Sequence, residues 1–160
     1  MSHRQVIASN SKRRANTGKR RLRLGTISSS GDKRDKHAVK ISMLLSYAGG
    51  LKERVAELQE FEKAGLDVVW VPEAYSFDAP TAMGYIAANT ERVTIASGIL
   101  PVFTRTPSLL AMTAAGLDYL SDGRAMLGLG ASGPQVIEGF HGVPYDAPLA
   151  RLRETIEICR

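Results

Sequence analysis

The strongest constraint on this chain is an alternation of two hydrophobic periods that begins at Val39. Short, near-continuous apolar runs, typical of strands covered on both faces, occupy residues 39–45, 67–71, 93–98 and 125–130. Between and after them, apolar residues recur at the spacing of amphipathic helices, over residues 51–64, 79–89, 106–120 and 149–160. Since such alternation without hairpin signals requires parallel strands with right-handed crossovers, the sequence predicts an α/β fold of four βα units.

Two architectures satisfy four βα units in series: a doubly wound open sheet and part of a (βα)8 barrel. In both, the loops that follow the carboxyl ends of the strands carry the functional groups. These loops hold Ser46 and Tyr47, residues 73–78, residues 98–105 and residues 130–135. We therefore expect the functional site among these four loops.

The fourth apolar run leads into a glycine-rich loop, with the sequence MLGLGASGPQVIEGFHG over residues 126–142. Gly128, Gly130 and Gly133 allow sharp turns and leave backbone N–H groups accessible. Pro134 suits the first turn of a helix, whose N-terminus carries partial positive charge. The loop is predicted to bind an anion, with phosphate the natural ligand; the alternative is a glycine turn that only joins a strand to a helix.

The same loop satisfies the GxGxxG pattern of dinucleotide-binding folds. That fold also requires an acidic residue about 20 positions further on, at the end of a second strand. Glu154 has roughly this spacing, but it lies in a segment, RLRETIEICR, that is predicted to be helical. The context therefore argues against a dinucleotide-binding fold.

Charge divides the chain into two parts. Residues 1–40 hold twelve Lys and Arg against Asp32 and Asp35, a net charge of +10, whereas the remainder carries −5. Residues 1–38 have few apolar side chains and no aromatic ones, so they cannot bury enough surface to offset the entropy of ordering. The sequence predicts a disordered basic tail over residues 1–38 and a folded domain over residues 39–160.

Three explanations are open for the tail: a basic arm that contacts nucleic-acid phosphates, a signal peptide, or an upstream extension that is not native. The lack of aromatic residues for base stacking argues against nucleic acid. The apolar stretch over residues 41–48 is marginal for a signal peptide and fits a first strand better. We favour a translation start near Val39, since a valine codon can serve as a bacterial start.

The composition argues against a membrane protein, a disulfide scaffold and a metal centre. No apolar run approaches the roughly 18 residues of a transmembrane helix. A single cysteine, Cys159, cannot form an internal disulfide and fits a reducing cytoplasm. No cluster of His, Cys and carboxylate residues has the spacing of metal ligands. We therefore expect a cytoplasmic protein without a bound metal.

Two long stretches resemble a known family. They are WVPEAYSFDAPTAMGYIAANTERV and the run that starts at IASGILPVFTRTP and continues through MLGLGASGPQVIEGFHGVPY. Over residues 39–160 the chain resembles the bacterial luciferase-like family, and within it the coenzyme F420-dependent oxidoreductases. The resemblance implies a TIM-type barrel that binds a deazaflavin and transfers hydride between the ring and a small organic substrate. Enzymes that use flavin mononucleotide (FMN) share the fold and are the near alternative.

The resemblance also implies cofactor-binding residues. A non-prolyl cis peptide that backs the deazaflavin ring matches Gly98 and Ile99, in the bulge that ends the third strand. The phosphate loop follows the fourth strand, and Ser132 would add a hydroxyl donor to it. The residues that match this loop are Gly130, Ala131, Ser132, Gly133, Pro134 and Gln135.

Glu73 matches an acidic residue that relatives place at the end of the second strand, as a cofactor contact or catalytic proton carrier. Relatives often have a histidine next, whereas this chain has Ala74, so Glu73 is expected either to act in catalysis or only to orient the ring. Tyr75, Arg105 and His141 are expected at the substrate or cofactor entrance. His141, the one histidine outside the tail, is more typical of a turn than of a catalytic group.

Residues 39–160 amount to 122 positions, whereas a (βα)8 barrel typically takes roughly 250. The sequence therefore predicts the first four βα units, a half barrel, with unpaired parallel edges on its first and fourth strands. We expect a homo-dimer, a complementing second barrel half on another polypeptide, or a truncated product. The alternative function is a non-catalytic fragment or a basic-tailed binding module.

Overall fold

A computed structural model describes residues 6–9, 39–46 and 50–160 of the chain. Its strands are β1 (Val6–Ser9), β2 (Ser42–Leu44), β3 (Val68–Val71), β4 (Thr94–Ser97), β5 (Leu100–Pro101) and β6 (Ala125–Gly130). Its helices are α1 (Leu51–Lys63), α2 (Ala79–Asn89), α3 (Pro107–Leu120), α4 (Pro134–Ile137) and α5 (Pro148–Cys159). Among these residues, no helix is both long and apolar enough to cross a lipid bilayer.

The four predicted strands form a parallel ladder in chain order. β2 pairs with β3, β3 with β4, and β4 with β6, and all three pairings are parallel. A doubly wound sheet reverses its strand order at a switch point, whereas these strands follow one another without a reversal. The predicted α/β fold is confirmed, and the strand order is that of successive units of a (βα)8 barrel.

β1 lies in the segment for which the sequence predicts disorder. It pairs antiparallel with β6, with Val6 opposite Leu129 and Ser9 opposite Met126. These four residues are an exception to the prediction because the outer edge of β6 offers N–H and C=O groups that an extended segment can bond. The pairing also corrects the expectation that the fourth barrel strand has an open edge. The rest of the tail lies outside the described residues.

The helices cover the sheet through side chains that are fully buried. α1, α2 and α3 contribute Leu58, Ile86 and Leu110, each with 0% of its surface exposed. These side chains belong to one core with Val69 of β3 and Ile95 of β4. Burial of a side chain of this size stabilises the fold by about 2 kcal/mol. The core therefore holds α2 against β3 and β4, and α3 against β6.

Side-chain caps fix the start of two helices at the carboxyl edge of the sheet. Asp78 Oδ2 accepts a hydrogen bond from the Thr81 N–H at 3.0 Å, and Thr106 Oγ1 accepts one from the Leu109 N–H at 3.2 Å. Both helices also have proline in the first turn. A cap of this kind contributes about 1 kcal/mol. The caps hold the ends of the loops that follow β3 and β5.

The opposite edge, where the strands begin, is held by Glu62 and Arg124. Glu62 Oε1, at the end of α1, accepts hydrogen bonds from the N–H groups of Arg92 and Val93 at 2.5 and 2.6 Å. Desolvation raises the pKa of Glu62, but its backbone hydrogen bonds and the charge of Arg124 outweigh this and bring the pKa below its ordinary value. Arg124 donates side-chain hydrogen bonds to oxygens of Ala87, Thr90, Val93 and Ser121.

We expect Glu62→Gln to lower the free energy of unfolding near pH 7 by roughly 1.5–3 kcal/mol, the range for hydrogen bonds to charged groups. Because the folded pKa lies below the unfolded one, ionised Glu62 stabilises the fold above the unfolded pKa, and this stabilisation disappears as the pH falls through the folded pKa. As the pH falls, the free energy of unfolding of the variant should therefore decrease less than that of the wild type. Urea denaturation from pH 7 to 3 measures both effects.

Glu57→Gln is the matched control, since Glu57 lies on the same helix, is exposed and, among the described residues, pairs with Arg54 alone. It should leave both the stability and its pH dependence nearly unchanged. A Glu62→Gln chain with the acid profile of the wild type would contradict this account of the carboxylate.

Candidate functional site

Three loops at the carboxyl edge of the sheet carry the predicted site residues. Glu73 follows β3, Arg105 follows β5, and residues 131–133 follow β6. Because parallel strands end on the same edge, the fold brings these loops to one end of the molecule. Gly98 and Ile99 lie at the same end, between β4 and β5.

Glu73 and Arg105 form a buried ion pair, the loop clamp. Both Nη atoms of Arg105 donate to the Glu73 carboxylate, one to each oxygen, at 2.5 and 2.8 Å. Glu73 also accepts a hydrogen bond from the N–H of Ala79, the first residue of α2, at 2.7 Å. Only 6% of the Glu73 side chain and 13% of the Arg105 side chain are exposed. Since bidentate pairs are strong and directional, the clamp fixes the two loops and the start of α2 as one unit.

The bulge at the end of β4 is present as the resemblance implies. Residues 97–99 oppose only residues 127–128 of β6, so one residue is extra on the bulged side. The Gly98–Ile99 peptide bond is cis. Gly98 packs against the ring of Trp70, where an added Cβ would lie 3.3 Å from Cε3. The bulge therefore sits between the ends of β3 and β6.

Two glycines of the predicted anion loop serve strand packing. The Ser97 hydroxyl donates to the Gly128 carbonyl at 2.9 Å and accepts from its N–H at 2.8 Å, and a Cβ on Gly128 would overlap the Ser97 carbonyl oxygen. A Cβ on Gly130 would lie 3.0 Å from Ile99 Cγ1, and the Gly130 carbonyl accepts from the Val102 N–H at 3.0 Å. Close approach of the bulge thus explains both glycines, and the donors for an anion lie in the residues that follow.

Residues 131–133, the phosphate loop, turn the chain from β6 into α4. Ser132 has a φ of 59°, in the left-handed region, and Gly133 has a φ of −128°. Within the described part of the chain, the hydroxyl of Ser132 and the N–H groups of Ser132 and Gly133 donate no hydrogen bond. All three residues of the loop are half-buried, while Pro134 and Gln135 are exposed. The loop can therefore offer three donors to an anion.

The sequence analysis missed Tyr145, which contacts this loop. Its hydroxyl donates to the carbonyl oxygen of Ser132 at 2.9 Å. Its ring stacks on Phe103, with 4.9 Å between the centroids and 26° between the planes. The guanidinium carbon of Arg151 lies 4.6 Å from the centroid of the Phe103 ring. The sequence signal is weak, a single aromatic residue in GVPYDAP, and no periodicity connects it to the loop.

Tyr75, Phe140 and His141 form an exposed aromatic row. Tyr75 meets Phe140 edge to face at 5.5 Å between centroids, and Phe140 meets His141 at 5.0 Å. Tyr75 and Phe140 are each 55% exposed. The His141 N–H donates to the Val136 carbonyl at 3.1 Å, in the turn after α4. The structure thus brings two predicted entrance residues, Tyr75 and His141, into one cluster.

A cleft of about 600 Å³ lies between the loop after β5 and the first half of α5. Its lining carries both signs of charge, with Arg105 and Arg151 against Asp146 and Glu154. Arg105 already pairs with Glu73, so the cleft has no excess of positive charge for an anion. Among the residues that the structure describes, no group of three or more His, Cys, Asp or Glu side chains could hold a metal ion.

Comparison with known proteins identifies the family. A sequence profile described as luciferase-like monooxygenase matches residues 37–160. The chain belongs to this family, which confirms the resemblance.

Two curated relatives illustrate the similarity. A Mycobacterium tuberculosis protein, provisionally named a coenzyme F420-dependent oxidoreductase, is 43% identical over 124 residues, which cover 76% of this chain and 36% of the relative. An F420-dependent glucose-6-phosphate dehydrogenase of Amycolatopsis mediterranei is 32% identical over 124 residues, which cover 69% of this chain and 37% of the dehydrogenase. The chain thus spans little more than a third of the length of these relatives.

Solved structures share the fold. The coenzyme F420-dependent tetrahydromethanopterin reductase of Methanopyrus kandleri superposes with a TM-score of 0.67 at 22% identity, over 74% of this chain and 38% of the reductase. The oxygenating constituent of 3,6-diketocamphane monooxygenase of Pseudomonas putida, solved in complex with FMN, superposes with a TM-score of 0.67 at 18% identity. The match covers 76% of this chain and 38% of the monooxygenase constituent. The parallel α/β architecture is therefore that of part of these larger chains.

We expect Glu73→Gln to lower the free energy of unfolding by about 3 kcal/mol, because it leaves the guanidinium of Arg105 buried and unpaired. The double variant Glu73→Gln/Arg105→Met removes the orphaned charge and should recover part of the loss. Chemical denaturation of the single and double variants measures the coupling. Strictly additive losses, or a Glu73→Gln loss below about 0.5 kcal/mol as for a surface site, would show that the clamp does not hold the loops.

Proposed function

We propose that the chain carries the phosphate-binding part of an oxidoreductase that uses coenzyme F420 to transfer hydride to or from a small organic substrate. The observation that carries the proposal is the set of three donors in the phosphate loop, residues 131–133, at the carboxyl edge of the sheet. The names of the two curated relatives support F420 as the cofactor. The proposal concerns the site to which these residues belong, since the relatives are much longer.

The phosphate loop suits the anionic end of such a cofactor. Residues 125–137 contain no carboxylate, and the Glu138 Oε1 that follows accepts a hydrogen bond from the Tyr145 N–H at 3.0 Å. Each hydrogen bond to a charged group contributes roughly 1.5–3 kcal/mol. Donation from the Ser132 hydroxyl and from the Ser132 and Gly133 N–H groups would therefore hold a phosphate firmly.

The bulge is proposed to form the wall behind the ring. The deazaflavin, when bound, would supply the hydride acceptor or donor. Gly98 and Ile99 are half-buried at the same edge as the phosphate loop, and the Ile99 side chain packs over Gly130. These contacts give the wall a fixed position relative to the phosphate loop, so the ring and the phosphate could be held together.

We assign Glu73 a positioning role in place of the catalytic role expected from the sequence. Its two carboxylate oxygens already accept three hydrogen bonds, two from Arg105 and one from the Ala79 N–H. These hydrogen bonds hold the carboxylate in one orientation and join it to the start of α2, which suits a positioning role. The aromatic row of Tyr75, Phe140 and His141 is proposed as the entrance, and its exposed rings favour a substrate with apolar surface.

FMN is the second candidate cofactor. The monooxygenase constituent from Pseudomonas putida, which shares the fold, was solved in complex with FMN. Since FMN also ends in a phosphate, the phosphate loop suits both molecules, and direct titration of each decides between them.

We expect Gly133→Asp to weaken binding of coenzyme F420 at least tenfold, because the added carboxylate lies beside the N–H donors and repels the phosphate. A tenfold loss corresponds to about 1.4 kcal/mol, less than one hydrogen bond to a charged group contributes. The φ of −128° at Gly133 is open to any residue, and the nearest atom to a new Cβ is the mobile end of Gln135. The thermal midpoint without cofactor should therefore stay close to that of the wild type. Titration of the 160-residue chain with F420 and with FMN measures the effect.

Ala56→Asp, on the exposed side of α1, adds the same charge elsewhere and is the matched control. Ser132→Ala should weaken binding less than Gly133→Asp, since it removes one donor. Equal affinity in all four proteins, or no binding of either cofactor by the wild type, would refute the proposed phosphate site.

We further propose that the chain forms a homo-dimer through the outer face of α2 and α3. α2 has no charged residue and α3 has only Asp118, whereas seven of the thirteen residues of α1 are charged. The two helices pack side by side, and on α3 Met112 and Tyr119 are 70% and 85% exposed. An uncharged, apolar face of this kind marks an interaction site, and it fits a second copy of itself about a two-fold axis.

Gly116→Lys tests this face. Gly116 lies in the middle of α3, and an added Cβ meets no atom within 4 Å, so the substitution raises helix propensity without a clash in the protomer. We expect the variant to be monomeric in sedimentation at concentrations where the wild type is dimeric, with an undiminished thermal midpoint for the protomer. Ala56→Lys on α1 adds the same charge to a charged helix and should remain dimeric. A monomeric wild type, or a dimeric Gly116→Lys, would refute the proposed interface.

A further inference from the structure

We infer that Tyr145 is a positioning residue that sets the orientation of the peptide between Ser132 and Gly133 for phosphate binding. The inference rests on the proposed function, because it concerns how the phosphate loop presents its donors. It assigns a role to a side chain that the glycine pattern does not indicate.

The geometry follows from the planar peptide unit. The Tyr145 hydroxyl donates to the Ser132 carbonyl oxygen at 2.9 Å. In a trans peptide the C=O of one residue and the N–H of the next point in opposite directions, and the peptide after Ser132 is trans. With the carbonyl held toward Tyr145, the Gly133 N–H points away from Tyr145. The hydrogen bond thus selects which end of this peptide dipole an approaching phosphate meets.

Within the described part of the chain, the Tyr145 hydroxyl is the one hydrogen-bond partner of this peptide unit. Ser132 has a φ of 59°, a conformation that costs a non-glycine residue about 1–2 kcal/mol. Gly133 has no Cβ, and α4 after it has only four residues. If the peptide rotated, the Ser132 carbonyl would take the place of the Gly133 N–H, and its partial negative charge would repel a phosphate.

Tyr145 is itself held firmly enough to act as a restraint. Its backbone N–H donates to Glu138 Oε1 at 3.0 Å, and its ring stacks on Phe103. Phe103 belongs to the buried core and also forms a cation–π pair with the guanidinium of Arg151. The side chain is therefore anchored at its backbone, at its ring and at its hydroxyl, and only the last of these touches the phosphate loop.

The test is Tyr145→Phe, which removes the hydroxyl and keeps the ring that stacks on Phe103. Binding is measured for two ligand pairs. The first is FMN against riboflavin, which lacks the phosphate, and the second is coenzyme F420 against the ribityl deazaflavin that lacks the phosphate and the chain attached to it. We expect the variant to bind the phosphate-bearing member of the preferred pair at least fivefold more weakly than the wild type does. Affinity for the phosphate-free member should be unchanged. Phe61→Tyr, which adds a hydroxyl to an exposed ring on α1, is the matched control and should bind all ligands as the wild type does.

The outcomes separate this inference from the proposed function. A wild type that prefers the phosphate-bearing ligand, together with a Tyr145→Phe variant that keeps the full preference, would overturn the role of Tyr145 and leave the phosphate site intact. If Tyr145→Phe weakened the binding of both members of a pair equally, the role of Tyr145 would also be overturned, because a general loss of structure has that effect. A wild type without any preference for phosphate would overturn both the site and the inference.

Discussion

The arrangement of the site depends on how closely the bulge after β4 approaches β6. Ser97 exchanges two hydrogen bonds with the backbone of Gly128, in a space where Gly128 has no room for a Cβ. This contact restores the pairing that the extra residue of the bulge interrupts. Because β6 leads directly into the phosphate loop, the same contact sets the distance between the bulge, which carries Gly98 and Ile99, and the loop that begins at residue 131.

The two edges of the sheet differ in how their polar groups are bonded. At the edge where the strands begin, Glu62 and Arg124 bond mainly to backbone atoms and join α1 to the turns that precede β4 and β6. At the carboxyl edge, the phosphate loop keeps donors that no described residue uses. The clamp of Glu73 and Arg105 is the exception at this edge, since its bonds are satisfied within the protein and hold two loops in place. This division is the one that barrel folds impose, with variable loops on a fixed frame.

Sequence patterns predicted the parts of the fold that depend on local spacing. The alternating periods located the four longer parallel runs that contain β2, β3, β4 and β6 and the helices between them, and Thr106 with Pro107 located the start of α3. β5 was missed because two residues are too few to show a period. No sequence pattern indicated that Val6–Ser9 pairs with β6, because pairing along an exposed edge depends on the backbone and not on a side-chain pattern.

For the site, the sequence located the loops but not the contacts between them. The glycine pattern pointed to residues 128–133, yet the structure separates two glycines that permit strand packing from the donors beyond them. The clamp joins residues 32 positions apart, and Tyr145 reaches Ser132 across 13 positions. Contacts of this kind arise from tertiary packing and leave no periodic trace in the sequence.

The most direct test of the account is an amide NMR titration of the labelled 160-residue chain with coenzyme F420 and with FMN. If the phosphate loop holds the anionic end of the cofactor, the amide signals of Ser132 and Gly133 should shift furthest and saturate together, with smaller shifts at Gly98 and Ile99. Inorganic phosphate should move the first two signals and leave the bulge unchanged. Shifts confined to the cleft between the loop after β5 and α5, with the signals of Ser132 and Gly133 unmoved, would contradict the account.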